Sequence, residues 1–134
     1  MSLEISTNGR GLVEITGEVA AFVRSCAFRS GLLTIFCRHT SASLLVQENA
    51  DPSVRADLER FFEALAPEGA GLHEHDAEGP DDMPAHIRTA LTQTSLCIPI
   101  SEGVLALGSW QGIYLFEHRR SPHARRLALH ALGE

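Results

Sequence analysis

Short apolar segments separated by glycine and proline fill the last third of the 134-residue chain, and they constrain its fold most strongly. These segments are SLCIPI, VLALG, GIYLFEH and RRLALHAL. Each is too short for an ordinary helix and has the length of a β-strand, and Gly103, Gly108, Ser121 and Pro122 break the chain between them. The pattern predicts several strands that pair mainly antiparallel.

Helix signals occur earlier in the chain. Thr16 is a predicted N-cap before an amphipathic segment, and Asp51 followed by Pro52 is typical of a helix start. A third, short helix is predicted in DMPAHIRTAL, with Asp82 as its cap. Two or three helices against mainly antiparallel strands predict a single α+β domain over residues 1–134.

The segment GLLTIFCRH predicts a strand that ends on a histidine. Leu33, Ile35 and Cys37 share its buried face, and the period of two places His39 on the same side. The following segment, SLLVQE, predicts a second strand paired with the first. His39 is therefore either an ordinary residue at the rim of the sheet or part of a site that needs an imidazole.

Charge and cysteine content exclude several classes of protein. The net charge is −6, and the basic residues are all arginines without a basic run, which argues against nucleic acid or an anionic membrane as partner. The arginines still suit small anions. The three separated cysteines predict buried free thiols in a reducing compartment. Without a signal-like or membrane-spanning apolar run, we expect a cytoplasmic protein.

Seven histidines make metal binding the first functional hypothesis. His39, His75 and His86 lie at the ends of predicted elements or in the long acidic loop EGAGLHEHDAEGPDD, and three protein ligands are typical of a catalytic zinc site. A lone histidine is more often an ordinary hydrogen-bonded residue. His73 and His75 are a rival chelating pair, since residues two apart point the same way in an extended segment.

Carboxylates near these histidines have two interpretations. Asp81 and Asp82 either hold an imidazole or act as acid and base, and Asp82 also suits a helix cap. Glu48 and Asn49 follow a strand beside His39 and are further candidates. Serine and cysteine nucleophiles are not supported, because no nucleophile elbow or electropositive cysteine turn is evident.

The segment LGSWQGIYLFEHR contains an aromatic ring and a buried charge. Trp110 suits stacking on a heteroaromatic ring, although a lone tryptophan more often belongs to a core or a subunit interface. Glu117 shares the core-facing side of its strand with Ile113 and Leu115, so it needs a partner such as Arg119 or a histidine.

Together, HTSASLLVQENADPSVRADLERFF, HEHDAEGPDDMPAHI and GSWQGIYLFEHRR resemble the YjbQ family of small bacterial and archaeal proteins. The resemblance covers nearly the whole chain and departs at His73, where the family often carries tyrosine. It implies a YjbQ-like sandwich of about seven strands, assembled as a homotrimer, with a histidine-rich pocket that binds zinc or another divalent metal. The motif positions that it assigns to the site are His39, Glu48, Asn49, Asp51, His75, Asp82, His86, Trp110, Gln111 and Glu117.

Members of the family are often named secondary thiamine-phosphate synthase. The resemblance implies an enzyme that joins a pyrimidine-methyl diphosphate to a thiazole phosphate, with His39, His75 and His86 as metal ligands. The remaining candidates are Glu48, Asn49, Asp82 and Glu117 for catalysis, and Arg55, Arg88, Trp110, Gln111, Arg119 and Arg125 for a small phosphorylated metabolite.

Two alternatives remain open at this point. Release of diphosphate usually uses magnesium, whereas three histidines favour zinc, so a zinc-assisted hydrolysis of a phosphate ester fits the ligands better. The other alternative is a non-catalytic, metal-stabilised trimer that binds a small anionic metabolite. Three protein ligands plus water would indicate catalysis, and four protein ligands would indicate a structural site.

Overall fold

The computed structural model describes residues 1–134, which form eight strands and three helices. In chain order these elements are β1 (Ser2–Thr7), β2 (Gly11–Glu14), α1 (Thr16–Cys26), β3 (Ser30–Cys37), β4 (Ala42–Glu48), α2 (Pro52–Leu65), α3 (Asp82–Leu91), β5 (Ser95–Ser101), β6 (Val104–Leu105), β7 (Gln111–Glu117) and β8 (His123–Gly133). The predicted α+β class is confirmed. None of the three helices combines the length and apolar character needed to cross a membrane.

All strand pairs are antiparallel and belong to two sheets. The five-stranded sheet has the order β1-β8-β3-β5-β6, and the three-stranded sheet has the order β2-β7-β4. Alternate side chains from both sheets form one core cluster, which includes Leu33, Ile35, Leu115 and Leu127 at 0% exposure. The predicted pairing of β3 with β4 is wrong. The chain changes sheets at residues 38–41, so β4 pairs with β7 instead.

Helices cover the other face of the three-stranded sheet. Phe62 of α2 packs edge-on against Phe116 of β7, with ring centroids 5.3 Å apart. The strand β7 is consequently buried on both faces, from Gly112 to Glu117. The five-stranded sheet has no such layer outside it, and Phe36 on its central strand β3 is 48% exposed.

Two of the three predicted helix caps are wrong. Asp51 caps α2 as expected, accepting a hydrogen bond from the backbone N–H of Ser53 at 2.9 Å. Thr16 is already the first residue of α1, and its hydroxyl accepts from the backbone of Ile113. Asp82 is likewise inside α3, so its carboxylate is free for other contacts.

The cysteines also differ from the prediction. All three are free thiols, but only Cys37 is buried, whereas Cys97 lies on the exposed face of β5. The difference follows from the alternation of a strand with one solvated face, which places neighbouring positions of one apolar run in opposite environments.

Candidate functional site

A histidine–aspartate cluster lies at the start of α3. Asp82 and His86 are one turn apart on the same helix face, and His75 comes from the 66–81 loop that precedes the helix. His75 Nε2 lies 2.7 Å from Asp82 Oδ2, and His86 Nε2 lies 3.2 Å from the same oxygen. One ligand atom from each residue lies within 4.8 Å of the others, which brings three metal-binding groups to a single point.

The backbone at Thr40 determines which nitrogen of His86 is available. His86 Nδ1 lies 2.8 Å from the Thr40 carbonyl oxygen, and since a carbonyl only accepts, Nδ1 carries a hydrogen. The lone pair of a neutral His86 is therefore on Nε2, which faces the Asp82 carboxylate. Two acceptor atoms at this distance need a proton or a metal cation between them. A histidine held through Nδ1 in this way is typical of metal sites.

Arg119, just after β7, fixes the orientation of Asp82. Its Nη1 donates to Asp82 Oδ1 at 2.8 Å, and its Nε donates to Asp81 Oδ2 at 3.0 Å. Burial alone would raise the pKa of Asp82, but the hydrogen bond from His75 and the charges of His86 and Arg119 lower it overall. Asp82 is therefore ionised at neutral pH and keeps Oδ2 for the two histidines.

His39 lies outside this cluster. Its Nε2 accepts a hydrogen bond from the backbone N–H of Arg126 at 2.7 Å, and its Nδ1 lies 3.5 Å from Arg125 Nη1. Burial and the charge of Arg125 lower the pKa of His39. Within one chain, the predicted triad of His39, His75 and His86 does not assemble, and Asp82 takes the third position.

Two cavities flank these residues. One of about 650 Å³ is lined by His39, Ser41 and Arg125, and it borders the buried Cys37. Burial raises the pKa of the Cys37 thiol to about 11, so this cysteine is a poor nucleophile. The other cavity, of about 260 Å³, is lined by His75 and by His73, which is not one of the three converging ligands.

Comparison with known proteins identifies the family. A family model described as UPF0047 protein YjbQ-like matches residues 1–134. The chain belongs to the YjbQ/UPF0047 family. A UPF0047 protein of Synechocystis is 52% identical over 132 residues, covering 98% of this chain and 90% of that protein. The UPF0047 protein YjbQ of Escherichia coli O157:H7 is 42% identical over 134 residues, covering 99% and 96%.

Solved structures agree with this assignment. An uncharacterized conserved protein of the YjbQ/UPF0047 family from Clostridium acetobutylicum has a TM-score of 0.90 at 32% identity, covering 98% of this chain and 99% of that chain. A conserved hypothetical protein from Thermus thermophilus has a TM-score of 0.87 at 35% identity, with the same coverage. The resemblance noted in the three sequence motifs is thereby confirmed.

Four candidate residues of this YjbQ-like chain lie far from the cluster: Glu48, Asn49, Trp110 and Gln111. Glu48 is paired with Gln111 at one end of β7, and Glu117 is at the other end of the same strand, about 20 Å away. Asn49 and Trp110 continue from the Glu48 end, where Trp110 is 66% exposed. Within one chain, Glu48, Asn49, Trp110 and Gln111 therefore do not meet the histidines.

Glu117 is placed where its strand pattern predicted, and of the two kinds of partner expected for it, a histidine is nearby, with His123 Nδ1 3.7 Å from Oε1, whereas Arg119 is not. The carboxylate is fully buried and pairs with Arg125 of β8 rather than with Arg119. Arg125 also donates from Nη2 to the carbonyl and hydroxyl oxygens of Ser41, at 3.1 and 3.0 Å. This buried pair supports the 38–41 turn, from which the Thr40 carbonyl reaches His86.

The other two arginine candidates also lie elsewhere in this YjbQ-like fold. Arg55 of α2 stacks over the Tyr114 ring, with its Cζ 5.0 Å from the ring centroid. Arg88 of α3 is buried two residues beyond His86, which puts it on the opposite side of the helix. The four predicted arginines therefore do not converge on one phosphate.

Sequence reasoning missed the two residues that follow His39. Thr40 acts through its backbone carbonyl, for which no sequence signal exists, and Ser41 acts through both its carbonyl and hydroxyl oxygens. The HTSAS motif predicts a role for its histidine, whereas the contacts that organise the cluster come from Thr40 and Ser41.

Proposed function

We propose that this chain is a metal-dependent enzyme acting on a small phosphorylated metabolite, with zinc bound by His75, Asp82 and His86. The observation that carries the proposal is the contact between the His86 Nε2 lone pair and Asp82 Oδ2, at 3.2 Å. His86 Nδ1 is committed to the Thr40 carbonyl, so the ring cannot turn this lone pair away without losing a hydrogen bond.

The donor set favours zinc over magnesium. Two imidazole nitrogens and one carboxylate oxygen are ligands typical of catalytic zinc, whereas magnesium prefers oxygen ligands. Three protein ligands leave a coordination position open for water or substrate. The exposed side chain of His75 and the adjacent cavity of about 260 Å³ support access from solvent.

Each residue of the cluster has a defined task in this proposal. Asp82 and His86 hold the ion from the rigid helix α3, and Arg119 and the Thr40 carbonyl fix their orientations. His75 completes the set from a loop. A zinc ion held there would polarise a phosphate oxygen and lower the pKa of a bound water.

Two reactions are candidates for this site. Family resemblance suggests the thiamine-phosphate synthase reaction, in which a thiazole phosphate displaces diphosphate from a pyrimidine-methyl group. The nitrogen-rich donor set favours a zinc-assisted hydrolysis of a phosphate ester instead. We infer the hydrolytic reaction as the better match to the ligands and keep the transfer reaction as the second candidate.

The first test is elemental analysis of protein purified without a histidine tag. We expect about one zinc per chain in the wild type, no zinc in His86→Ala, and a strongly reduced content in Asp82→Asn. His73→Ala, at a histidine that lines the adjacent cavity but is not one of the three ligands, is the matched control and should keep its metal. Full zinc content in His86→Ala would overturn the proposed ligand set.

The same measurement separates the two possible third ligands. His39→Ala should keep its zinc if Asp82 is the third ligand, and it should lose zinc if the originally predicted histidine triad forms in the assembled protein. Zinc-loaded and chelated wild-type protein would then be incubated with the two thiamine precursors and with a panel of phosphate esters. Zinc-dependent turnover would distinguish an enzyme from a metal-stabilised binding protein.

We also propose that the protein is a homotrimer. Support comes from the family resemblance and from apolar residues on the uncovered face of the five-stranded sheet, where Leu32, Phe36 and Leu132 are 44%, 48% and 66% exposed. Sedimentation equilibrium should give three times the chain mass for the wild type and the mass of one chain for Phe36→Glu. A monomeric wild type would reject the trimer.

A further inference from the structure

Arg88 is a buried charge without an acceptor. The residue is 1% exposed, and its Nε and Nη1 atoms are fully buried without a hydrogen-bond partner. No carboxylate lies within ion-pair distance of its guanidinium, although nine arginine–carboxylate contacts occur elsewhere in the protein. Arg88 therefore differs from every other buried charge described above.

Such an arrangement is unfavourable unless something compensates the charge. A buried ion costs several kcal/mol, in order-of-magnitude terms, when it lacks a partner, and a guanidinium remains charged in proteins. An apolar residue would fill this position at lower cost, so the arginine points to a negatively charged group from outside the chain.

A cavity of about 180 Å³ lies against Arg88 and brings two more arginines to the same place. Arg10, from the turn before β2, and Arg120, from the segment after β7, line it together with Glu63 and Glu68. Arg10 is 2.9 Å from Glu63 and 3.3 Å from Glu68, and Arg120 also pairs with Glu68. The two carboxylates thus balance the two outer arginines.

Among the residues that line the cavity, Arg88 is the charge in excess. Three arginines and two glutamates line it, and Glu59 of α2, whose charge also acts on Arg88, forms no ion pair. Burial raises the pKa of Glu59 against the opposing charge of Arg88, and its buried Oε1 has no hydrogen-bond partner. Glu59 therefore does not satisfy the buried guanidinium.

From these observations we infer a second binding site in this protein, formed by Arg88, Arg10 and Arg120, for a tetrahedral oxyanion. The ligand is phosphate, either free or as the phosphoryl group of a small ester. The fixed donor fork of a guanidinium matches phosphate oxygens, and the cavity has room for one such group with a few waters but not for a nucleotide.

This site is distinct from the proposed zinc site and does not depend on it. His86 and Arg88 lie two residues apart and project from opposite sides of α3. The oxyanion cavity is lined by residues 66–68 of the loop, and the cavity beside His75 is lined by residues 69–71. Phosphate binding should therefore persist in metal-free protein.

The test is calorimetric titration of the chelated, full-length protein with inorganic phosphate at constant ionic strength. We expect one saturable site per chain. In Arg88→Met, binding should weaken at least tenfold, the effect of losing charge-assisted hydrogen bonds to phosphate. The matched control, Arg24→Gln, changes an exposed arginine of α1 and should bind like the wild type.

A second variant tests the site without the risk that Arg88→Met loses phosphate binding by misfolding. Arg120→Gln changes a side chain that is 60% exposed, so the fold is retained, and phosphate binding should weaken severalfold. Arg88→Met itself should keep the wild-type circular dichroism spectrum and unfold at an equal or higher temperature, because it removes an unpaired buried charge. Competition with glycerol phosphate distinguishes free phosphate from a phosphate ester as the ligand. Glycerol phosphate displaces bound inorganic phosphate only if the site accepts an ester.

Three results would overturn the inference. The first is an absence of saturable phosphate binding to the wild type, which would indicate that ordered water alone solvates Arg88. The second is unchanged binding in both Arg88→Met and Arg120→Gln. The third is binding that appears only after zinc is restored and is lost in His86→Ala, which would place the anion at the metal and leave the proposed function intact.

Discussion

Glu117 and Arg125 form an ion pair inside the layer between the two sheets, with Arg125 Nε 2.9 Å from Glu117 Oε1 and 3.0 Å from Oε2. Their side chains are 0% and 4% exposed. The Thr7 hydroxyl and the backbone N–H of His118 also donate to the carboxylate, at 2.6 and 3.1 Å. Ser41 accepts from the guanidinium. Each charge is therefore satisfied as long as the other is present.

Removing one member of this pair should be severely destabilising. We expect Glu117→Gln to lower the free energy of unfolding by about 3–5 kcal/mol, because it leaves a buried guanidinium without its counter-charge. Urea denaturation monitored by circular dichroism measures this loss. Glu102→Gln is the control, since it breaks an exposed pair with Arg29 and should cost less than about 1 kcal/mol.

A double variant tests whether the cost comes from the unpaired charge. Glu117→Leu combined with Arg125→Met removes both charges, and it should recover most of the stability lost in Glu117→Gln. If the double variant is less stable than Glu117→Gln, the ion pair adds to the free energy of unfolding beyond the mutual neutralisation of its two buried charges.

His118 should make stability depend on pH. It is 1% exposed, and burial together with the charges of Arg88 and Arg125 lowers its pKa to about 3. From the ordinary value of 6.5 down to about 3, the unfolded chain takes up a proton that the folded chain excludes. The free energy of unfolding should therefore fall with decreasing pH in this window, with a limiting slope of about 1.4 kcal/mol per pH unit from this group.

The contribution of His118 is measured by comparison with His118→Gln, which cannot take up the proton. Urea unfolding at several pH values between about 6.5 and 5 avoids most carboxylate titration. We expect a shallower pH dependence in His118→Gln than in the wild type, and an unchanged one in the control His73→Gln, which changes a loop histidine outside the core. Parallel curves for the wild type and His118→Gln would mean that the folded state also protonates this ring.

Arg119 should act as a positioning residue for the proposed zinc site. Arg119→Gln removes the guanidinium that orients Asp82 and Asp81 but leaves all three proposed ligands in place. Zinc affinity, measured by competition with a chromophoric chelator, should fall by about 10- to 100-fold. Arg126→Gln, which breaks an exposed contact with Glu4, is the control. Equal zinc affinities in both variants would contradict the positioning role.

Gly31 is required by the close approach of β3 and β8. A Cβ atom there would lie 2.3 Å from the Leu132 carbonyl oxygen, a backbone atom that cannot rotate away. Gly31→Ala should cost about 2–3 kcal/mol in urea denaturation. Gly17→Ala, in the first turn of α1 with open space around it, should be neutral or stabilise by up to about 1 kcal/mol. Equal effects of the two substitutions would refute this explanation.

Local patterns predicted the elements of this fold well, because the periodicity of strands and helices acts over a few residues. The inward direction of Glu117 followed from the period of two along β7. Its partner did not, because Arg125 lies in the other sheet and no short-range pattern connects the two positions. The failed pairing of β3 with β4 has the same origin, since neighbouring strands in sequence can belong to different layers.

The candidate site was predicted in part. The DDMP-x-H spacing places Asp82 and His86 on one helix face, which the sequence reveals through the period of the helix. His75 lies in a loop without periodicity, so only its histidine-rich surroundings indicated a role. The separation of His39 from the cluster depends on the path of residues 38–41 between the two sheets, and sequence motifs do not encode that path.

The position of β8 has a consequence for folding during synthesis on the ribosome. This strand is the last of the eight to be synthesised, yet it lies between β1 and β3 in the five-stranded sheet. Until residues 123–133 leave the exit tunnel, β1 has no neighbour in that sheet and the apolar face of β3 is incompletely covered. The sheet is therefore completed only after every other strand has emerged, and the core between the two sheets stays open until that point.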